Sequence, residues 1–408
     1  MSCTLSDHIT TDLAVVGGGI VGLGIAWEAR RAGRRVALID PAPGTGATFA
    51  AAGMLAPVSE LHHQEEDLLE LTLASAERWP AFAATLPTGP AGSCFSTTPT
   101  LVVGADPADR QALADLCEAQ HRQGLEVSRL SLREARALEP LLSPNLAAAY
   151  LVPRDHQVDP RAVARAILDG LAVVAGGDDA TQPGCLVGTN AASLLHEDPE
   201  NTHSRITGVL LADGREVHAR EVVVANGHGA AHLDGLPHGL RLPLRPVYGD
   251  ILRLRVPENL QPLVTATLRG QVRGLPVYVV PRSDGTVVIG ATSREDGSVG
   301  VSAGGVHQLL RDAQVLLPAV AELELLETTA RARPGTPDNA PLLGRVADAH
   351  GTDIPGLILA TGFFRHGVLL TPIAAHIATE LLHGRSDPAW DRFRPDRFSP
   401  ALHLQEIS

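Results

Sequence analysis

Three glycines, Gly17, Gly19 and Gly22, stand in the spacing G-x-G-x-x-G, and an acid, Asp40, closes the next apolar run. That pattern suits the holding of a nucleotide pyrophosphate. The first glycine allows a tight turn, the second lets the backbone approach the phosphates, and the third lets a helix pack closely on a strand. Ile20 and Val21 then open a helix whose free N–H groups and dipole favour an anion. Asp40 stands where a carboxylate can accept both hydroxyl groups of an adenosine ribose. Alone, a glycine-rich turn serves packing as often as binding, and an acid such as Asp40 is commonly a surface charge; the argument rests on order. The motif does not separate NAD from FAD.

Those residues need elements to position them, and the sequence supplies them. Residues 13–16 (Leu-Ala-Val-Val) are apolar enough for a buried parallel strand. A helix is predicted over 20–32, stopping at Gly33, with a second strand over 35–39 ending on Asp40. After a turn-rich loop comes Ala47-Thr48-Phe49-Ala50-Ala51-Ala52-Gly53-Met54-Leu55-Ala56-Pro57. On composition it reads as a tightly packed alanine helix; its run of small residues would also let backbone lie close to a flat, bulky group.

That segment resembles the flavin-contacting stretch of the D-amino-acid-oxidase-like flavoproteins, and is most similar to their glycine oxidase branch. Asp155-His156-Gln157-Val158-Asp159-Pro160 is similar to the branch's D-H-x-V-D-P, and physically it starts a helix, with Asp159 as cap and Pro160 in the first turn. Arg331-Ala332-Arg333-Pro334-Gly335-Thr336-Pro337-Asp338 looks like its R-P-G-T-x-D block. The stretch from Ile358 through Gly362-Phe363-Phe364-Arg365-His366-Gly367-Val368-Leu369-Leu370 to Pro372 resembles its closing motif. The matches run from about residue 12 to 385, and they imply FAD as the cofactor. Attachment is expected to be non-covalent, because no cysteine follows Cys185 and no histidine lies between Asp40 and Glu60.

The resemblance implies particular contacts. Gly17, Gly19, Ile20, Val21, Gly22 and Asp40 would hold the nucleotide, and Thr48, Ala52, Gly53 and Met54 the flavin side. Gly362, His366, Gly367, Val368 and Leu369 would present a helix start to the flavin, where unpaired N–H groups offset negative charge. A substrate carboxylate calls for a planar two-pronged cation. The resemblance places Arg333 in that role, on a turn held by Pro334 and Gly335, with Tyr278 adding a phenolic hydrogen bond and Arg365 serving flavin or substrate. Taken singly, Arg333 would be a surface salt-bridge residue, Tyr278 a strand aromatic and Arg365 a pairing arginine. His366 and Asn226 depart from the family's pattern, as do Phe363 and His228; His366 would be either partly protonated or a neutral hydrogen-bonding group.

The expected fold is α/β (α+β overall). A discontinuous Rossmann-like FAD-binding domain (12–85, 150–235, 330–400) would be interleaved with a substrate domain (86–149, 236–329) built on an antiparallel sheet. A strand is predicted over 221–227, a hairpin over 277–290 turning at Ser283-Asp284, and a helix over 308–317 ended by Pro318. Residues 171–207, rich in Gly, Asp and Asn, yield no strands to this reading.

Composition bounds the rest. The chain has 408 residues, with 33 basic and 46 acidic side chains, so its formal charge is −13. That balance argues against nucleic acid as partner. Four scattered cysteines form no CxxC pair, so neither a zinc site nor a disulfide framework is expected. His228 and His232 at i, i+4 read as solvated histidines and the pair His62-His63, beside Glu65 and Glu66, as a polar helix start, so no metal is expected. Without a basic and apolar leader in the first ten residues, and with the 13–27 run broken by glycines, cytoplasm is the expected compartment and no integral membrane association is expected. The functional expectation, which the resemblance implies, is a flavin-dependent oxidase of glycine or a small amine such as sarcosine or D-alanine. It would use molecular oxygen, form peroxide and feed thiazole synthesis for thiamine, with a homo-oligomer allowed for. Two alternatives stay open: a D-amino-acid or secondary-amine dehydrogenase with another electron acceptor, and a non-catalytic FAD-binding subunit of a complex.

Overall fold

The computed structural model describes residues 8–62, 65–87, 94–173, 185–348 and 350–399. Cys3, His63 and residues 174–184 of the stretch without expected strands lie outside these ranges. Two sheets of eight strands and one of three organise the described chain.

The first sheet is centred on His8–Val16, which pairs in parallel with Val36–Ile39 on one side and Glu216–Val224 on the other. Its side chains alternate, as a strand buried on both faces requires. Leu13 and Val15 enter a core shared with the helices Ile20–Arg31, Glu66–Ala84, Pro160–Val173 and Thr371–Leu382. Ala14 and Val16 enter the opposite core with Ile39, Val222, Val224 and Leu359. Neighbours reached by chain on both sides make the carboxyl end of His8–Val16 a topological switch point, where open α/β sheets leave a crevice.

The second sheet runs, in order, Glu324–Gly335, Arg245–Arg255, Thr286–Gly290, Leu275–Pro281, Thr267–Val272, Thr100–Gly104, Ala148–Val152 and Ser128–Leu130. All its pairings are antiparallel except that of Thr100–Gly104 with Thr267–Val272. One face buries Leu252, Leu254, Leu268, Val277, Val279, Val287 and Ile289 with Leu309, Ala313 and Leu316 of the helix Ala303–Leu316. The other face packs Ile251, Val280 and Val288 against Ala50 and Ala52 of the alanine-rich segment. The expected hairpin is present, and so is the expected helix, which starts earlier because Ser302 accepts from the Gly305 N–H as its cap.

Some elements differ from expectation. The alanine-rich segment is helical only over Ala47–Ala50, where Gly46 and the extended Ala51 bound a single turn. Within 171–207, strands form at Cys185–Val187 and Ala191–His196. The latter lies at the end of the first sheet and is mostly half-buried, so no apolar alternation marks it. Arg333 lies within the strand Glu324–Gly335 and not on a turn: Val247 pairs with Arg333 and Pro246 with Pro334, and neither proline has an N–H to leave unpaired. Both Ala148–Val152 and Glu324–Gly335 straddle boundaries expected at 150 and 330, pairing in the second sheet.

Candidate active site

At the switch point, Gly17 has φ +106°, and a Cβ there would come within 2.5 Å of the Asn226 Cα. A Cβ on Gly22 would lie 2.0 Å from the Gly17 carbonyl oxygen. Both glycines are therefore required for close packing. Gly19 differs, because a Cβ there would meet nothing nearer than Thr48 Oγ1 at 3.8 Å, which leaves open space above the helix start. The Ile20 N–H donates to Thr48 Oγ1 (2.9 Å), so a residue on another segment caps this helix. Val21 and Gly22, in its first turn, have no intrahelical acceptor for their N–H groups. Asp40 Oδ2 accepts from the Gly18 N–H and Oδ1 from the Ala42 N–H, both at 2.7 Å, which orients the carboxylate and leaves each oxygen a second lone pair. Asn226 Oδ1 is buried with no partner in the protein, an acceptor that suits a cofactor hydroxyl. The crevice thus fits a dinucleotide.

The segment after Thr48 is held by the D-H-x-V-D-P motif. Asp155 is fully buried and accepts from the Val58 (3.1 Å) and Ser59 (2.7 Å) N–H groups, while burial pushes its carboxyl up to about 6. Gly53 at φ +77° packs against Val158, whose carbonyl oxygen would be 2.0 Å from any Cβ there. Asp159 Oδ1 caps the helix Pro160–Val173 through the Arg161 N–H (2.9 Å), as expected. From the second sheet, Arg282 donates to the Ala52 carbonyl and to Gln157 Oε1 (3.0 Å). Burial lowers the Arg282 guanidinium to about 10, so it is still charged at neutral pH. Motif and sheet together fix Ala52, Gly53 and Met54.

The face of the second sheet opposite the helix Ala303–Leu316 carries Arg333 and Tyr278, beside Ile251 and Val280. Arg333 extends over Gly249 and donates to the Thr292 carbonyl (3.3 Å). Tyr278 faces Gly290 across the hairpin, and its phenol lies over that glycine. Burial raises the Tyr278 hydroxyl to about 12, with the Arg333 charge opposing, so it is a protonated donor at neutral pH. The Thr292 carbonyl is itself anchored. Its hydroxyl donates to Asp250 Oδ2 (2.8 Å), and the fully buried Asp250 is gripped by Arg294 through both carboxylate oxygens (3.0 and 3.3 Å).

Beside Tyr278 across the sheet is Arg269, which pairs with the largely buried Glu60. Burial alone would raise Glu60, but the arginine charges beside it, Arg269 foremost and then Arg365, outweigh it and hold the carboxyl below its ordinary value. His366 Nδ1 lies 3.4 Å from Glu60 Oε2 without a hydrogen bond. Burial first, and Arg365 second, push His366 down to about 4. His366 is therefore the neutral group of the two expectations. Arg365 pairs with Glu65, which also accepts from Asn339 Nδ2 (2.9 Å). Gly362, with φ +74°, and Phe364, with φ +46°, turn the chain into Gly367 and Val368. Ser75 and Trp79 both donate to the Leu369 carbonyl (2.6 and 2.9 Å), fixing the turn before the helix Thr371–Leu382.

The structure thus brings Gly17, Gly19, Ile20, Val21, Gly22, Asp40 and Thr48 together at one crevice, and Arg333 and Tyr278 together on one sheet face. Sequence reasoning missed Glu60, Arg269, Gly249, Gly290, Thr292 and Asp250. Only the two glycines carried a signal, since a glycine inside a strand often marks a close approach. Among the described residues, no group of three or more His, Cys, Asp or Glu side chains could hold a metal, and no helix is long and apolar enough to cross a membrane.

A glycine-rich crevice beside a sheet face that carries an arginine and a buried phenol is an arrangement suited to a flavin-type oxidoreductase. The chain belongs to the DAO family, FAD dependent oxidoreductase, whose model matches residues 12–381, and FAD is its cofactor. It is 33% identical to a glycine oxidase of Geobacillus kaustophilus, over 97% of this chain and 98% of that one. The crystal structure of glycine oxidase from Geobacillus kaustophilus superposes with a TM-score of 0.81 and 28% identity, covering 95% of this chain and 99% of that chain. The bifunctional protein ThiO/ThiG of Trichormus variabilis is 31% identical over 96% of this chain, which spans only 55% of that protein's length. An iminodiacetate oxidase from Chelativorans is also similar in structure, with a TM-score of 0.76 and 26% identity over 94% of this chain and 98% of that one.

Proposed function

We propose that the protein oxidises the amine of a small α-amino acid, glycine first and sarcosine or D-alanine next, to the imine, with oxygen reduced to hydrogen peroxide. The observation that carries this reading is the placement of Arg333 and Tyr278 on one sheet face, a cation and a protonated donor suited to one carboxylate. In this proposal Gly17, Gly19, Ile20, Val21, Gly22 and Asp40 hold the nucleotide half of FAD non-covalently. Thr48, Ala52, Gly53, Met54, Gly362, His366, Gly367, Val368 and Leu369 border its flavin half. FAD, when bound, accepts the two electrons of amine oxidation and passes them to oxygen. The chain's own contribution is positioning. Arg333 takes the carboxylate through its guanidinium and Tyr278 donates its hydroxyl to the same group, which fixes the amine-bearing carbon. His366, neutral, offers a hydrogen bond without adding a cation. The imine then hydrolyses to glyoxylate and ammonia or feeds thiazole assembly; similarity to the bifunctional ThiO/ThiG protein supports the second outlet.

The test is anaerobic stopped-flow mixing of the FAD-loaded protein with glycine, sarcosine and D-alanine, followed by mixing with oxygen. Fast flavin bleaching by glycine and rapid reoxidation with peroxide are expected. Bleaching with sluggish reoxidation points to a dehydrogenase using another acceptor, and no bleaching by any amine points to a non-catalytic FAD-binding subunit.

A further inference from the structure

We infer that Gly249 and Gly290 are positioning residues for substrate carboxylate binding, letting Arg333 and Tyr278 lie flat against the sheet and converge; this rests on the clamp reading above. Glycine inside a strand is destabilising relative to alanine and needs a reason. Conformation does not supply one, because neither glycine is among the residues with positive φ. Space does. A Cβ on Gly249 would sit 2.4, 2.5 and 2.6 Å from Nη2, Nη1 and Cζ of Arg333. A Cβ on Gly290 would sit 2.4 Å from Tyr278 Oη and 2.7 Å from its Cζ, and 2.4 Å from Ile251 Cδ1.

The register shows what these vacated positions achieve. Val247 pairs with Arg333, so the guanidinium reaches diagonally from the edge strand onto Gly249 of its neighbour. Tyr278 pairs with Gly290, so the phenol leans across from the other side. Ile251 pairs with Gly290, which makes Gly249 and Gly290 diagonal neighbours on adjacent strands, roughly 7–8 Å apart. One carboxylate bonded at both oxygens spans about the same distance, at about 2.8 Å per hydrogen bond. Two side chains rooted on strands with two others between them thereby reach toward each other over those two inner strands, Arg245–Arg255 and Thr286–Gly290. The Thr292 carbonyl then sets the direction of the guanidinium. Alanine at either position would lift the overlying group by about 1 Å, a displacement that can cost about a hundredfold in a positioned reaction.

The test uses FAD-loaded protein and a double-mutant cycle, with acetate as an unreactive carboxylate probe read from the flavin spectrum. Gly249→Ala is expected to weaken acetate binding by about tenfold or more and to raise the glycine KM more than it lowers kcat, with FAD affinity and Tm held. In an Arg333→Ala background the same substitution is expected to cost less than about twofold, because nothing then occupies the space above residue 249. An unchanged acetate Kd in Gly249→Ala, or an equal loss in both backgrounds, overturns the inference while leaving the clamp intact. If Arg333→Ala alone leaves acetate binding unchanged, the clamp reading fails and this inference falls with it. Should Gly249→Ala not fold, Gly290→Ala against a Tyr278→Ala background repeats the cycle on the other arm, with the same outcomes deciding it.

Discussion

The glycine-turn crevice and the Arg333–Tyr278 face of the second sheet are built by different means. The crevice is mostly backbone: glycines that admit close approach, N–H groups at a helix start, and one carboxylate oriented by two neighbouring amides. Its parts come chiefly from residues 17–48, so local sequence spacing carries the geometry. The sheet face is built from side chains on strands far apart in sequence, with Arg333 resting on Gly249 and steered by Thr292, and Tyr278 resting on Gly290. A backbone site tolerates change in most side chains near it, whereas a side-chain site depends on supports that never touch a ligand.

That contrast makes the most remote support the most consequential to remove. Asp250→Ala removes the buried carboxylate from Arg294, leaving it the exposed Asp296 as its carboxylate partner, and frees Thr292; a loss of about 3–5 kcal/mol in stability is expected from denaturant unfolding of the FAD-loaded protein, with a raised glycine KM. An unaltered KM in a folded Asp250→Ala protein breaks the link from Asp250 through Thr292 to Arg333.

His366 tests the boundary between the two regions. The unfolded chain protonates a histidine near pH 6.5, but the folded protein does so only near 4, so this stability is complete above about 6.5 and is lost as pH falls toward 4. The whole effect is on the order of 3 kcal/mol. His366→Gln is expected to remove that part of the pH dependence, measured as the difference between two stability curves at saturating FAD. Parallel curves would mean that His366 is not held neutral by burial.

Arg333→Ala is expected to raise the glycine KM about a hundredfold, as loss of a charge-assisted pair does, while FAD affinity is unchanged. Asp40→Ala should give the converse at smaller size, a weakening of FAD binding by about tenfold with an unaltered ranking of substrates. Fluorescence titration of released FAD measures the second, and steady-state kinetics the first. If each variant disturbs both quantities equally, the division into a cofactor region and a substrate region is wrong.

How far the site could be read in advance follows the same division. The first strand, the glycine turn, the helix Ile20–Arg31 and the acid at Asp40 were legible because each is a local demand met within forty residues. The D-H-x-V-D-P segment was legible as a helix start, but not as the clasp by which Asp155 holds Val58 and Ser59. Arg333 was legible as a residue and not as a strand residue, since Pro334 and Gly335 read as a turn until Pro246 is known to lie opposite.

The amino-acid sequence by itself determined the glycine turn and its flanking strands and helix, the apolar run over residues 13–16 that is buried on both faces, and the Asp159 cap of the helix Pro160–Val173. Those features depend on steric and hydrogen-bonding rules that act over a few residues. Only the tertiary structure decided that Glu60 pairs with Arg269, that Arg365 pairs with Glu65, and that His366 is neutral. It also decided that two glycines on adjacent strands lie beneath Arg333 and Tyr278. Charge pairing, burial and vacant space are properties of what comes to lie alongside, and strand register across a sheet sets that at separations no local pattern encodes.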